Sequence, residues 1–241
     1  MDVLSLLFNI LAYLALAVFW VGMGWRLWRW LETPVPLKIP TTPAPPTPLG
    51  ALARVLGEGL FFRSLWRENM ELWLGGWIFH VSMALVLLKH LRYFTYPVPA
   101  WVSALFDVGV VAGWGMVVAL LYLLLRRLFM ERVRYISLLS DYLLLLLLLA
   151  IPVTGLLMKY LYPVFVVEAK AFALGVITLH PRPVPAHWLF LLHFTLVLGL
   201  LAYFPFSKLV HAPGVFVSPT RNQANDARLR RYVNPWDYPL D

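Results

Sequence analysis

Residues 72–92 read Leu-Trp-Leu-Gly-Gly-Trp-Ile-Phe-His-Val-Ser-Met-Ala-Leu-Val-Leu-Leu-Lys-His-Leu-Arg, an apolar run that contains His80 and has His90 near its end. About 20 apolar residues suffice to cross the hydrocarbon core of a bilayer as one helix. Hydrocarbon does not solvate imidazole, so a histidine at that depth marks a functional site. A second run, 186–206, contains His193, and His211 follows it. Two pairs of histidines therefore accompany two candidate spans.

Three further apolar stretches complete the pattern: Leu4–Gly24, Trp101–Leu125 and Leu139–Leu161. They predict an all-α integral membrane bundle of five transmembrane helices. The first stretch is preceded by Met1–Asp2 without Lys or Arg, unlike the basic start of a signal peptide, so it is expected to remain as a span. With 61% hydrophobic and 13% charged residues, the composition lies outside the soluble range and inside the membrane class. Cysteine is absent, which excludes disulfides, cysteine-held iron–sulfur clusters and c-type haem attachment.

The net charge of +8 reflects topology. Arg26, Arg29, Lys38, Arg54, Arg63 and Arg67 lie between the first two runs, and Arg126, Arg127, Arg132 and Arg134 between the third and fourth. Lys208, Arg221, Arg228, Arg230 and Arg231 follow the fifth, so 15 of the 20 basic residues share one side. Lys89, Arg92, Lys159, Lys170 and Arg182 fall on the other. The positive-inside rule then predicts a prokaryotic inner-membrane protein with its N-terminus outside and its C-terminus cytoplasmic. No nucleic-acid partner is needed to explain the charge.

The expected organisation is a first span over 1–32 and a cytoplasmic segment over 33–71. A four-helix haem-binding region covers 72–211, and a cytoplasmic tail covers 212–241. Thr33–Leu49, with Pro34, Pro36, Pro40, Pro43, Pro45, Pro46 and Pro48, predicts an extended polyproline-II-like linker. In Ala51–Asn69, Leu52, Val55, Leu56, Leu60 and Leu65 alternate with charges, as in an interfacial amphipathic helix on membrane lipid. A solvated connector is the plainer alternative. Pro163–Pro185 is expected to be an outer loop capping a site.

Two imidazoles can ligate one haem iron axially. Span two runs outward and span five inward, which pairs His80 with His211 at the cytoplasmic end and His90 with His193 at the outer end. On ideal helices His80 and His90 are separated by about 15 Å, and His193 and His211 by about 27 Å. Straight rods leave about 12 Å to absorb, and Pro205 offers a place to end or bend the fifth helix before His211. Gly75, Gly76 and Gly199 offer space for a porphyrin, although glycines more often serve helix packing. Arg63, Arg67 and Lys208 inside, with Arg92 and Arg182 outside, are candidate propionate partners or plain boundary cations. His180 and His187 lie near the outer boundary, and His187 rivals His193 as a ligand. A haem-free anchor and a histidine proton relay are the competing classes. The relay lacks carboxylates, because only Asp107 and Asp141 lie in the spans.

The four-histidine spacing resembles the gamma subunit family of respiratory nitrate reductase, which implies five helices and two b-type haems. On that resemblance His80 and His211 bind the haem nearer the cytoplasmic partner, and His90 and His193 bind the distal one. The tail, His211–Ala–Pro–Gly–Val–Phe, Ser218–Pro–Thr–Arg–Asn–Gln and Asn234–Pro–Trp, is similar to the M subunit of the DsrMKJOP complex of dissimilatory sulfur metabolism. That similarity implies electron exchange between membrane quinone (menaquinone or ubiquinone) and a cytoplasmic iron–sulfur subunit related to heterodisulfide reductase. It also implies further subunits of a membrane complex. The family's quinone-lysine motif is not recognisable here. The residues themselves nominate Lys89, Arg92, Tyr93, Asp107 and Glu168 at the outer end, where a protonatable group can exchange the quinol's protons.

Overall fold

A computed structural model describes residues 1–34 and 39–226. Its helices are, in chain order, α1 (Val3–Glu32), α2 (Pro48–Phe61), α3 (Arg63–Glu68), α4 (Met70–His90), α5 (Ala100–Ala104) and α6 (Phe106–Phe129). They continue with α7 (Glu131–Tyr135), α8 (Leu139–Tyr160), α9 (Val166–Ile177), α10 (Trp188–Tyr203), α11 (His211–Gly214) and α12 (Pro219–Asn222). No strand occurs among the described residues. Five helices are long and apolar enough to cross a membrane: α1, α4 with its following turn, α6, α8, and α10 with its following turn. Only 17–39% of their apolar windows is buried within the protein, which leaves the remaining surface for lipid. This is a multi-pass, all-α membrane protein.

The chain forms two compact units, residues 1–20 with 69–203 and residues 21–68 with 204–241. In the first, α4 packs on α6, α6 on α8 and α8 on α10. The α4–α6 pair is antiparallel and seated by three glycine notches. A Cβ added at Gly75 would stand 2.6 Å from the Tyr122 ring, at Gly115 2.8 Å from Ser82 Oγ, and at Gly109 2.5 Å from Lys89 Cδ. Gly75 therefore serves helix packing and is closed to a porphyrin, whereas Gly76 and Gly199 have no foreign atom within 4 Å.

Local chemistry sets the helix starts. Asn69 Oδ1 accepts the Leu72 N–H at 2.8 Å to begin α4, and Asp2 Oδ1 accepts the Ser5 N–H at 3.0 Å beside α1. The hydrogen bonds from Ser5 hold the Asp2 carboxyl below the usual carboxylate range. Pro152 lies inside α8, where its missing N–H leaves the Leu148 carbonyl without its helical donor.

Four expectations require correction. The segment 163–185 is not a simple loop, because it contains α9, whose Ala169, Phe172, Gly175 and Val176 are buried. Phe172 is 1% exposed and meets the rings of Phe190 and Phe194 edge-on, in a core completed by Phe8, Ala12 and Ala15 of α1. The α9 helix ends in a Schellman turn, with Leu179 in the left-handed region (φ 59°) and the His180 N–H donating to the Gly175 carbonyl at 2.9 Å. The third span also starts later than expected, because a turn at Leu105 separates α5 from α6.

In the second unit the expected single amphipathic helix is two helices. Phe62 at φ 48° ends α2, and the Glu58 carboxylate accepts the Ser64 N–H at 3.1 Å and the Ser64 hydroxyl at 2.6 Å to begin α3. The proline-rich segment also ends sooner than Leu49, since Thr47 caps α2 and Pro48 fills its first turn. The described part of the tail, 212–226, is held within this unit. The Thr41 N–H donates to the Thr220 carbonyl at 2.8 Å, the Asn225 N–H donates to the Pro45 carbonyl at 2.7 Å, and Gly214 abuts Trp30. Val35, Pro36, Leu37 and Lys38 of the linker, together with Arg228, Arg230, Arg231 and the Asn234–Pro–Trp motif, lie outside the described residues.

Candidate functional site

Each of the four singled-out histidines has its Nδ1 committed to a local partner. His80 Nδ1 lies 2.7 Å from the Gly76 carbonyl and His90 Nδ1 2.6 Å from the Val86 carbonyl, both one turn back in α4. His211 Nδ1 lies 2.9 Å from the Lys208 carbonyl. A carbonyl only accepts, so these Nδ1 atoms carry the proton and the lone pair resides on Nε2.

His193 reaches the same state by another route. Its Nδ1 lies 2.8 Å from Thr154 Oγ1, which also lies 2.8 Å from the Ala150 carbonyl and 2.9 Å from the Ile151 carbonyl. The hydroxyl has one proton and donates it to a carbonyl, so its oxygen accepts from His193 Nδ1–H. Gly155 sets no side chain against this ring, and an added Cβ would meet His193 Cε1 at an ordinary 3.5 Å. His90 and His193 lie on different helices of the first unit, α4 and α10.

His187 is arranged in the opposite sense. Its Nδ1 accepts the Leu189 N–H at 3.3 Å at the start of α10, and its ring stacks on Trp188. In the neutral form its proton is on Nε2, and neither nitrogen is set to bind a metal. His180 is exposed, with Nδ1 at 2.7 Å from the Thr178 carbonyl.

The α10 helix stops at Tyr203, two residues before Pro205, and two short 3₁₀ turns lead to His211 at the start of α11. The rise of a continuous helix therefore does not apply between His193 and His211. Bending or ending the helix at Pro205 was the sequence-based remedy for the depth mismatch, and the helix ends there.

At the α4 end that carries His90, three cations surround one ring. Lys89 Nζ lies 4.8 Å from the Phe106 centroid, Lys159 Nζ 4.7 Å and the Arg92 guanidinium carbon 5.3 Å. Tyr93 stands 5.7 Å from the His90 ring and 5.8 Å from Arg92. Asp107 follows Phe106 directly and is exposed, and Glu168 is exposed in the first turn of α9. Lys89 and Arg92 thus meet at Phe106, a ring the sequence did not nominate, and Tyr93 adjoins Arg92 and His90. Lys159, Phe106 and Thr154 were missed. Lys159 reads as an ordinary boundary cation, and Thr154 carries no one-dimensional signal.

Among the described residues no three His, Cys, Asp or Glu side chains gather as a protein-only metal centre requires. A haem needs two imidazoles and brings its remaining ligands with it. Nδ1 atoms held by oxygen acceptors and the open flank at Gly76 and Gly199 fit that group.

Comparison with known proteins agrees. Residues 63–224 match the model of the nitrate reductase gamma subunit family. An "Hdr-like menaquinol oxidoreductase cytochrome b-like subunit" of Archaeoglobus fulgidus is 40% identical over 96% of this chain and 83% of its own length. Its counterpart in Archaeoglobus profundus is 38% identical over 96% and 82%. With a helical membrane fold, four similarly prepared imidazoles and these matches, the chain belongs to the nitrate reductase gamma subunit family.

Proposed function

We propose that this chain is the membrane dihaem cytochrome b subunit of a menaquinol oxidoreductase. It would carry electrons between quinol at the outer face and an iron–sulfur partner related to heterodisulfide reductase at the cytoplasmic face. The observation that carries the proposal is the shared arrangement of His80, His90, His193 and His211, each with its Nδ1 against a carbonyl or hydroxyl oxygen, which favours the tautomer whose Nε2 is the axial donor. His90 and His193 hold the outer group, and His80 and His211 hold the inner one. Bound haem supplies one-electron redox chemistry at its iron, while the chain sets spacing, ligands and surroundings.

Lys89 and Arg92 at Phe106, with Tyr93 beside Arg92, form the quinone-facing surface beside His90. Oxidation of a quinol releases two protons with its two electrons, and the exposed carboxylates of Asp107 and Glu168 are the nearby acceptors. The relatives' printed names supply the menaquinol and the Hdr-like association. The tail resemblance supports a role in dissimilatory sulfur metabolism, with the partner docking on α2, α3 and the residues after His211. A nitrate reductase gamma subunit is the second reading, favoured by the family match alone.

Purified protein tests the proposal. Two haem b per chain, with an α-band appearing on addition of a menaquinol analogue, are expected. Absence of a b-type α-band overturns it, and the identity of the co-purifying cytoplasmic subunit decides between the two complexes.

A further inference from the structure

We infer that Thr154, on a helix that carries none of the four histidines, is the positioning residue of His193 and sets the electron-donating strength of that imidazole. The inference rests on the haem reading above and extends it to α8.

The side chain is 6% exposed and 39 residues from His193 in sequence, so the 2.8 Å contact exists only because α8 packs on α10. The hydroxyl is polarised in one direction. Carbonyls of Ala150 and Ile151 at 2.8 and 2.9 Å can only accept, so they take the hydroxyl proton. The oxygen is left as an acceptor, and His193 Nδ1–H is the donor that fills it. This arrangement selects one tautomer, aims the ring and leaves the lone pair on Nε2.

The other three imidazoles rely on backbone carbonyls within three or four residues of themselves. His193 Nδ1 instead meets a side chain of another helix, which makes that partner removable by substitution. An acceptor on Nδ1–H raises the basicity of the ligating nitrogen. A more basic ligand favours the ferric state, so losing the acceptor raises the midpoint potential of the haem that His193 holds. Thr154→Val keeps the shape and removes the acceptor, whereas Thr154→Ser keeps the acceptor.

The experiment is a potentiometric titration of the haem-loaded protein, followed by optical and low-temperature EPR spectra of wild type, Thr154→Val, Thr154→Ala and Thr154→Ser. The outer haem is identified as the one lost in His193→Ala. The expected result is an upward shift of that haem's potential and a changed low-spin g-maximum in Thr154→Val and Thr154→Ala. The inner haem should be unmoved, and Thr154→Ser should be close to wild type. Selective loss of the outer haem in Thr154→Val, with retention in Thr154→Ser, supports the same role. If Thr154→Val fails to fold, Thr154→Ala against Thr154→Ser carries the comparison. Two unperturbed haems in both acceptor-free variants, or equal shifts in both haems, overturn the inference while leaving the dihaem proposal standing. A wild-type protein without b-type haem overturns the proposal itself.

Discussion

The Arg127 guanidinium donates to the Asp141 carboxylate at 3.3 Å and so ties α6 to α8. The same carboxylate oxygen accepts the Leu138 N–H at 3.1 Å, and the guanidinium also donates to Ser137 Oγ at 2.8 Å. Asp141 is 6% exposed and Arg127 29%, so water screens the pair only from the arginine side. Removing one partner of a fully buried pair costs about 3–5 kcal/mol, and exposure of this guanidinium reduces the expected loss to about 2 kcal/mol. Arg127→Ala should lower the melting temperature in detergent, and Asp141→Asn should lower it less because the amide oxygen still accepts from Leu138. Equal melting of Arg127→Ala and wild type would refute the clamp.

Adjacent glycines should differ sharply. Gly75→Ala drives a methyl group into the Tyr122 ring and is expected to cost about 1–3 kcal/mol. Gly76→Ala meets no foreign atom within 4 Å and should melt like wild type, while testing whether that flank accommodates a bound ring. Thermal denaturation of the two variants side by side, with haem content measured in each, separates packing from cofactor space.

Ligand substitutions should divide by end of the bundle. His90→Ala and His193→Ala are expected to lose the outer haem, and His80→Ala and His211→Ala the inner one, each halving the haem-to-protein ratio. His187→Ala should keep both, because its Nδ1 is an acceptor for Leu189. A pyridine haemochrome assay reads the outcome. Full haem in His193→Ala with loss in His187→Ala would reverse the outer assignment.

The cations around Phe106 should matter for quinol and not for haem. Lys89→Gln and Arg92→Gln are expected to raise the KM for a menaquinol analogue several-fold at unchanged haem content. Lys159→Gln should do so too, since its ammonium lies as near the ring as that of Lys89. Steady-state quinol oxidation by the intact complex measures this, and unchanged KM in all three variants would move the quinone elsewhere.

Much of the fold was legible because bilayer thickness imposes a length on apolar runs: all five expected spans are matched by helices, although the first runs on to Glu32 and the third starts at Phe106. The α9 helix was obscured by the same length rule. Its 12 residues are too few to span, although Ala169, Phe172 and Val176 already follow a helical period. The break at Phe62 depends on a left-handed backbone that phenylalanine does not advertise. At the site, the choice between His187 and His193 turns on which ring nitrogen accepts, a property of neighbours rather than of residue type. Thr154 was invisible for the same reason.

The notches at Gly75, Gly109 and Gly115 act together as a vernier. Tyr122, Lys89 and Ser82 engage them at three heights, so sliding α4 along α6 by a single turn would unseat all three at once. The heights of His80 and His90 in the bilayer are therefore dictated by a helix that carries neither. Substitutions along that silent seam would shift His80 and His90 together relative to α6 without touching either histidine.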